Sequence, residues 1–184
     1  MSLLRSQPVP TFAEHAGALS AALVDVAENS FFGFTVPLDE PSFADLVRNP
    51  PVFDPDAPSV REPWVVTDVH FAGAFAGCVQ IAMSEALARQ LLQAFLGLGP
   101  EDPIEEPQLF DSTGEFANQV CGTWLTRACE DRRFDLQPPA VTRKDVDWLP
   151  VDEPLAASEH AGEVLMSMND LPLRLRVQFV AERA

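Results

Sequence analysis

Apolar side chains recur at spacings of three and four through Phe12, Ala16, Leu19, Leu23 and Val26, the period of a helix with one buried face. Thr11 with Glu14 three residues later has the form of a capping box, so this first helix is expected to start at about residue 12. From 64 to 71 β-branched and aromatic residues dominate, Gly73 and Gly77 mark a turn, and 78–83 reads as the return strand. Ser84 is placed to cap a second helix with Glu85 in its first turn, carrying Leu87, Leu91, Leu92, Phe95 and Leu96 until Gly97, Gly99 and Pro100 stop it. A third helix is expected over 108–131, opposed only by Gly114 and Gly122. The stretch 134–141 reads as a strand that Pro138 and Pro139 confine to an edge or a bulge. At the end, 163–168 and 173–180 flank a turn at Asn169 and Asp170, and LRLRVQFV alternates between two faces.

Between the first helix and the first strand the pattern lapses. Seven prolines fall in residues 31–63, which predicts an extended surface run with one helical turn at 43–47. The chain reads as a single domain, 1–184, with a proline-rich connector at 33–63. The order of elements implies an α/β chain of the α+β sandwich type: a mainly antiparallel sheet covered by long helices.

Composition narrows the function. The 184 residues carry 12 Lys and Arg against 28 Asp and Glu, a formal charge of −16, which repels phosphate backbones and anionic lipid surfaces. Arg127, Arg132 and Arg133 are interleaved with Glu130 and Asp131, a mixed-sign helix end rather than a basic track. No nucleic-acid or membrane role is therefore expected. The opening MSLLRSQPVP has no apolar core before its prolines, and a cytoplasmic protein is expected. Cys78, Cys121 and Cys129 match no zinc spacing and read as reduced core thiols, although a nucleophilic Cys121 or Cys129 is conceivable. His15, His70 and His160 have no ligand partner at helical spacing, and no phosphate loop or nucleophile elbow is present. No metal site or cofactor is expected in this chain.

The third helix is more informative. At about 100° per residue, with Asp111 at zero, Glu115 falls at about 40°, Asn118 at about −20° and Gly122 at about 20°. Phe116, Val120, Trp124 and Ala128 lie on the opposite side. A carboxylate and an amide thus share a narrow stripe with a glycine beyond them. Most amphipathic helices turn such a stripe to water without doing chemistry.

The run Asp111-Ser112-Thr113-Gly114-Glu115-Phe116-Ala117-Asn118-Gln119-Val120-Cys121-Gly122 resembles the signature helix of the CheC/CheX/FliY chemotaxis phosphatases. That pattern is Asp or Ser, three residues, Glu, two residues, Asn, then Gly four residues on, with a proline some twenty residues later for which either Pro138 or Pro139 stands. The first helix has no Glu-x-x-Asn, its Glu28 and Asn29 being adjacent, so the closest likeness is to single-motif CheX-like proteins. The resemblance implies hydrolysis of the aspartyl phosphate of a CheY-like response regulator. Asn118 would position the water and Glu115 would pair with a lysine of the regulator, both as catalytic residues, while Asp111 and Gly122 would belong to the partner-binding face. Mg²⁺ would be supplied by the regulator. The same resemblance leaves open a non-catalytic adaptor that only binds a receiver domain. It also leaves open a homodimer, which Pro138 and Pro139 at an edge would discourage.

Overall fold

The computed structural model describes residues 9–51, 62–99 and 101–180, and the N-terminal MSLLRSQP and the middle of the proline-rich connector lie outside them. Helix α1 (Phe12–Ser30) starts as expected: the Glu14 carboxylate accepts from the Thr11 N–H at 2.8 Å and from its hydroxyl at 3.0 Å. Helix α3 (Glu85–Leu96) is capped by Ser84, whose hydroxyl accepts from the Leu87 N–H, and stops at Gly97 with φ of 66°.

The connector is more structured than its prolines suggest. It contains strand β1 (Thr35–Pro37) and helix α2 (Glu40–Arg48). Pro37 ends an edge strand, where no further N–H is required. Pro41 falls in the first turn of α2, where its missing N–H is no loss, and Asp39 caps that helix by accepting from Ser42 N–H at 2.9 Å.

The remaining strands are β2 (Trp64–Gly73), β3 (Ala76–Ser84), β4 (Phe134–Leu136), β5 (Ala140–Lys144), β6 (Ala161–Met168) and β7 (Leu171–Val180), and helix α4 (Glu106–Ala128) lies between β3 and β4. Their order is β1-β6-β7-β3-β2, all antiparallel, with β4 and β5 sharing the outer edge of β2. Phe71 pairs with Leu136, and Trp64 to Asp68 pair with Lys144 to Ala140, so residues 137–139 interrupt one edge as the two prolines require. The β6–β7 hairpin turns at Asn169 and Asp170, both with positive φ (52° and 64°), the backbone of a two-residue primed turn.

Period-two alternation sends Val65, Val69 and Phe71 of β2, Val79, Ile81 and Met83 of β3, and Leu173, Leu175 and Val177 of β7 under α1, α3 and α4. On the other face Trp64, Val66 and Ala82 meet Phe43 and Val47 of α2. Further along that face Arg174 is only 1% exposed. It donates to Gln80 Oε1 at 3.0 Å, to Glu153 Oε2 at 2.6 Å and to the Pro150 carbonyl, so the guanidinium is buried but satisfied.

Candidate functional site

Helix α4 begins two residues earlier than its pattern suggests and ends three residues sooner. Pro107 sits in its first turn, a permitted place, and the Glu105 N–H donates to Gln108 Oε1 at 3.1 Å to close the N-terminus. Its buried side holds Leu109, Thr113, Phe116, Ala117, Val120 and Trp124. Phe116 meets Phe31 of the α1 end edge-on at 5.1 Å, and Trp124 meets Phe71 at 5.4 Å and His15 at 5.5 Å. Burying each of these aromatic side chains contributes roughly 1.5–3 kcal/mol, enough to fix the rotation of α4 and hence which residues face out.

The predicted stripe is turned outward in its first half and partly covered in its second. Asp111 and Glu115 are exposed, while Asn118 and Gly122 are half-buried. Glu115 Oε1 accepts from Gln119 Nε2 at 2.8 Å, a contact between residues four apart that pattern reading alone passes over. Asn118 is more enclosed than its helical position suggests: its Oδ1 is buried and has no hydrogen-bond partner. The reason lies in the neighbouring edge strands. A Cβ on Gly114 would meet Pro139 at 3.4 Å, and one on Gly122 would meet Leu136 at 3.8 Å, so α4 leans its Gly114 and Gly122 side against β4 and the start of β5, and Asn118 lies between those two glycines. Of the two candidate prolines, Pro139 stands beside Gly114 of α4.

An unpartnered buried carbonyl oxygen costs about 1–3 kcal/mol, so Asn118 Oδ1 is an acceptor left unused within the fold. Ser112 Oγ on the same helix is likewise buried without a partner, whereas Thr113 Oγ1 donates back to the Leu109 carbonyl at 3.1 Å.

Other chemically capable groups are placed differently. Burial pushes the Cys78 and Cys121 thiols up to about 12 and also raises Cys129, so none is set up as a thiolate nucleophile. His15 sits among Phe75, Trp124 and Phe179, and burial lowers its affinity for a proton, with Glu14 opposing. Glu85 is pushed up by burial but carried below the usual carboxylate value by hydrogen bonds from Arg89 of the same helix and from Arg143, the latter tying α3 to β5. Among the described residues, no group of three or more His, Cys, Asp or Glu side chains is arranged to hold a metal ion, and no helix is long and apolar enough to cross a membrane.

Comparison with known proteins bears on the same helix. Residues 65–147, which contain all of α4 and both edge strands beside it, match the family model of the chemotaxis phosphatase CheX. No curated protein matches the sequence. In fold, the chain is similar to the chemotaxis protein CheX from Vibrio vulnificus, with a TM-score of 0.62 at 18% identity over 93% of this chain and 99% of that one. CheX from Desulfovibrio desulfuricans gives 0.60 at 14% identity over 91% and 99%. A chain of the CheX–CheY–BeF₃–Mg²⁺ complex from Borrelia burgdorferi gives 0.55 at 14% identity over 94% and 99%. The chain is thus similar to CheX in sequence across the candidate helix, and to CheX, CheC-like and FliY chemotaxis proteins in fold along some nine-tenths of its length.

Proposed function

We propose that this protein hydrolyses the aspartyl phosphate of a CheY-like response regulator, with Asn118 holding the attacking water. The observation that carries the reading is the Asn118 amide: it has a buried, unpartnered oxygen and stands one turn from the exposed carboxylate of Glu115. Two findings support it. The matched family is one of phosphatases, and the Borrelia relative was crystallised with CheY, BeF₃ and Mg²⁺.

An acyl phosphate is already reactive, so the phosphatase need only align one water opposite the acyl oxygen. The water oxygen bonds to phosphorus as the bond to the acyl oxygen breaks. The aspartyl carboxylate leaves with the electron pair, and the water's protons pass to the phosphate and to solvent. Asn118 suits this task because its amide accepts a hydrogen bond from the water without carrying charge. A carboxylate 4 Å away would be repelled by about 4 kcal/mol for each unit of phosphoryl charge at an effective dielectric constant of 20. Turning the amide about its last side-chain torsion to meet the water would break no internal hydrogen bond at Oδ1.

Glu115 would exchange its Gln119 partner for a lysine of the receiver and so set the register of docking. Asp111 would extend the same face, and Gly122 would let the partner's backbone approach. Mg²⁺ would arrive with the receiver. The test is to mix the protein with a phosphorylated receiver domain and Mg²⁺ and to follow loss of the phosphoryl group. Accelerated loss is expected. Binding without acceleration would replace the phosphatase by an adaptor, and neither binding nor acceleration would remove the receiver from the account.

A further inference from the structure

Asp111, Glu115 and Gln119 follow one another at intervals of four, at about 0°, 40° and 80° round the helix, and so form one ridge along α4. The two ends of the ridge act on the Glu115 carboxylate in opposite senses. Asp111 is exposed one turn before it and carries the same charge, and like charges at this spacing repel. Gln119 is half-buried one turn after it and donates Nε2 to Glu115 Oε1 at 2.8 Å. Among the described residues this is the one side-chain hydrogen bond that either Glu115 or Gln119 makes, and no Lys or Arg pairs with the carboxylate.

The helix would favour a stronger partner at position 119. A lysine four residues after a glutamate is the stabilising order for a helical ion pair, and it would neutralise Glu115. Glutamine holds the carboxylate with a neutral donor and leaves its full charge for a cation from outside. An arriving ammonium brings an opposite charge that an amide lacks, and so displaces it. A bond that is present in the free protein and given up in the complex is subtracted from the affinity. The Glu115–Gln119 contact is therefore an internal competitor of the docking ion pair.

We propose that Gln119 is a positioning residue that sets how long the receiver stays. It holds Glu115 in the free protein, gives it up to the receiver's cation on docking, and takes it back as the dephosphorylated receiver leaves. This regulation of the site deepens the phosphatase reading and rests on it. A phosphatase that serves many copies of a receiver must let each one go, and product release limits turnover in many enzymes. A competing partner for the docking carboxylate shortens the stay without touching the reacting atoms. Asn118 is next to Gln119 in sequence but about 100° away round the helix, and its oxygen is unbonded, so release and water positioning fall to different residues.

The experiment follows association and dissociation of a Mg²⁺- and beryllofluoride-loaded receiver by stopped flow, at one ionic strength. It compares the unmodified protein with Q119A, Q119K, E115A and E115A/Q119A; alanine and lysine both suit a helix, so α4 is kept. Q178K is the charge control: Gln178 is exposed on β7, and its neighbours Val177 and Phe179 face the main core, so it lies on the sheet face away from α4. Q119A is expected to lower Kd by about two-fold, the size of one helical side-chain pair. The gain is expected in slower dissociation at an unaltered association rate, and to vanish when E115A is already present. Q119K is expected to raise Kd by about ten-fold, because its ammonium occupies the carboxylate, and Q178K to leave it within about two-fold. Unchanged or weaker binding by Q119A, the same gain in the E115A background, or equal effects of Q119K and Q178K overturns the proposal. The phosphatase reading then stands as long as the unmodified protein accelerates dephosphorylation. Failure of the unmodified protein to bind any receiver overturns both.

Discussion

Helices α1 and α4 pack against each other on the same face of the sheet and are joined by Arg127 and Asp25 at 2.7 Å. Both carry a glutamate and an asparagine near the surface, yet only one presents them as a unit. On α1, Glu28 and Asn29 are adjacent and so point about 100° apart. Asn29 donates to Asp25 Oδ1 at 2.7 Å, and Glu28 Oε1 accepts from the Thr35 hydroxyl at 3.2 Å. On α4, Glu115 and Asn118 are three residues and about 60° apart, and the Asn118 oxygen has no partner. A carboxylate and an amide on a helix become a candidate site when they share a face and when the amide is not already bonded within its own chain.

The largest effect that follows is kinetic. Asn118→Ala is expected to slow receiver dephosphorylation by about 100–1,000-fold, as removal of one aligning hydrogen-bonding group does elsewhere, while receiver binding stays within about two-fold. Asn29→Ala is expected to leave both unchanged. Comparable losses in the two variants would erase the distinction between the helices. Asn118→Asp keeps the size and adds the charge, and is expected to be as inactive as the alanine.

Next in size is the docking contact. Glu115→Ala is expected to weaken receiver binding by about 2 kcal/mol, some thirty-fold in Kd, and Glu28→Ala to leave it unaltered. Calorimetric titration at one fixed ionic strength measures both. A thirty-fold loss in Glu28→Ala would place the partner on α1 instead.

A smaller effect belongs to α1. Burial holds His15 below its ordinary value of 6.5, so the unfolded chain takes up that proton at a pH where the folded one does not. Stability is therefore full above about pH 6.5 and declines as the pH falls below it. His15→Phe is expected to flatten that part of the profile in melting experiments. At lower pH Glu85, held below 4.5 by its two arginines, gives a second decline as it takes up a proton. A profile of His15→Phe that still slopes between the two regions would assign the titration to another group.

The smallest expected effect is none. Chelation of divalent metal from the purified protein is expected to leave the melting temperature unchanged, because neither helix supplies a ligand cluster among the described residues. A drop of several degrees would reveal a structural metal.

The helical period and the caps make the α4 stripe legible without the structure, since 3.6-residue geometry places Asp111, Glu115, Asn118 and Gly122 together whatever surrounds them. What surrounds them is not legible. The contact of Pro139 with Gly114 and of Leu136 with Gly122 depends on how the split edge of β2 meets the helix, and that is long-range information. In the connector, Pro37 and Pro41 read as breakers, whereas both occupy positions where a missing N–H does no harm. The alternation of LRLRVQFV turns Arg174 away from the main core correctly, but only the fold brings Pro150 and Glu153 across to bury it.

The tryptophans divide along these layers, which makes the two faces of the sheet optically distinct. Trp124 is wholly enclosed in an aromatic box beneath α4, so its emission is expected at short wavelength. Trp64 and Trp148 lie edge-on at 6.1 Å on the opposite face, with Lys144 and Arg174 over the Trp148 ring, which subjects that pair to a cationic field. Replacing the pair by phenylalanine would leave a single emitter under the candidate site, and a receiver arriving on α4 would be reported from within the molecule without any added label.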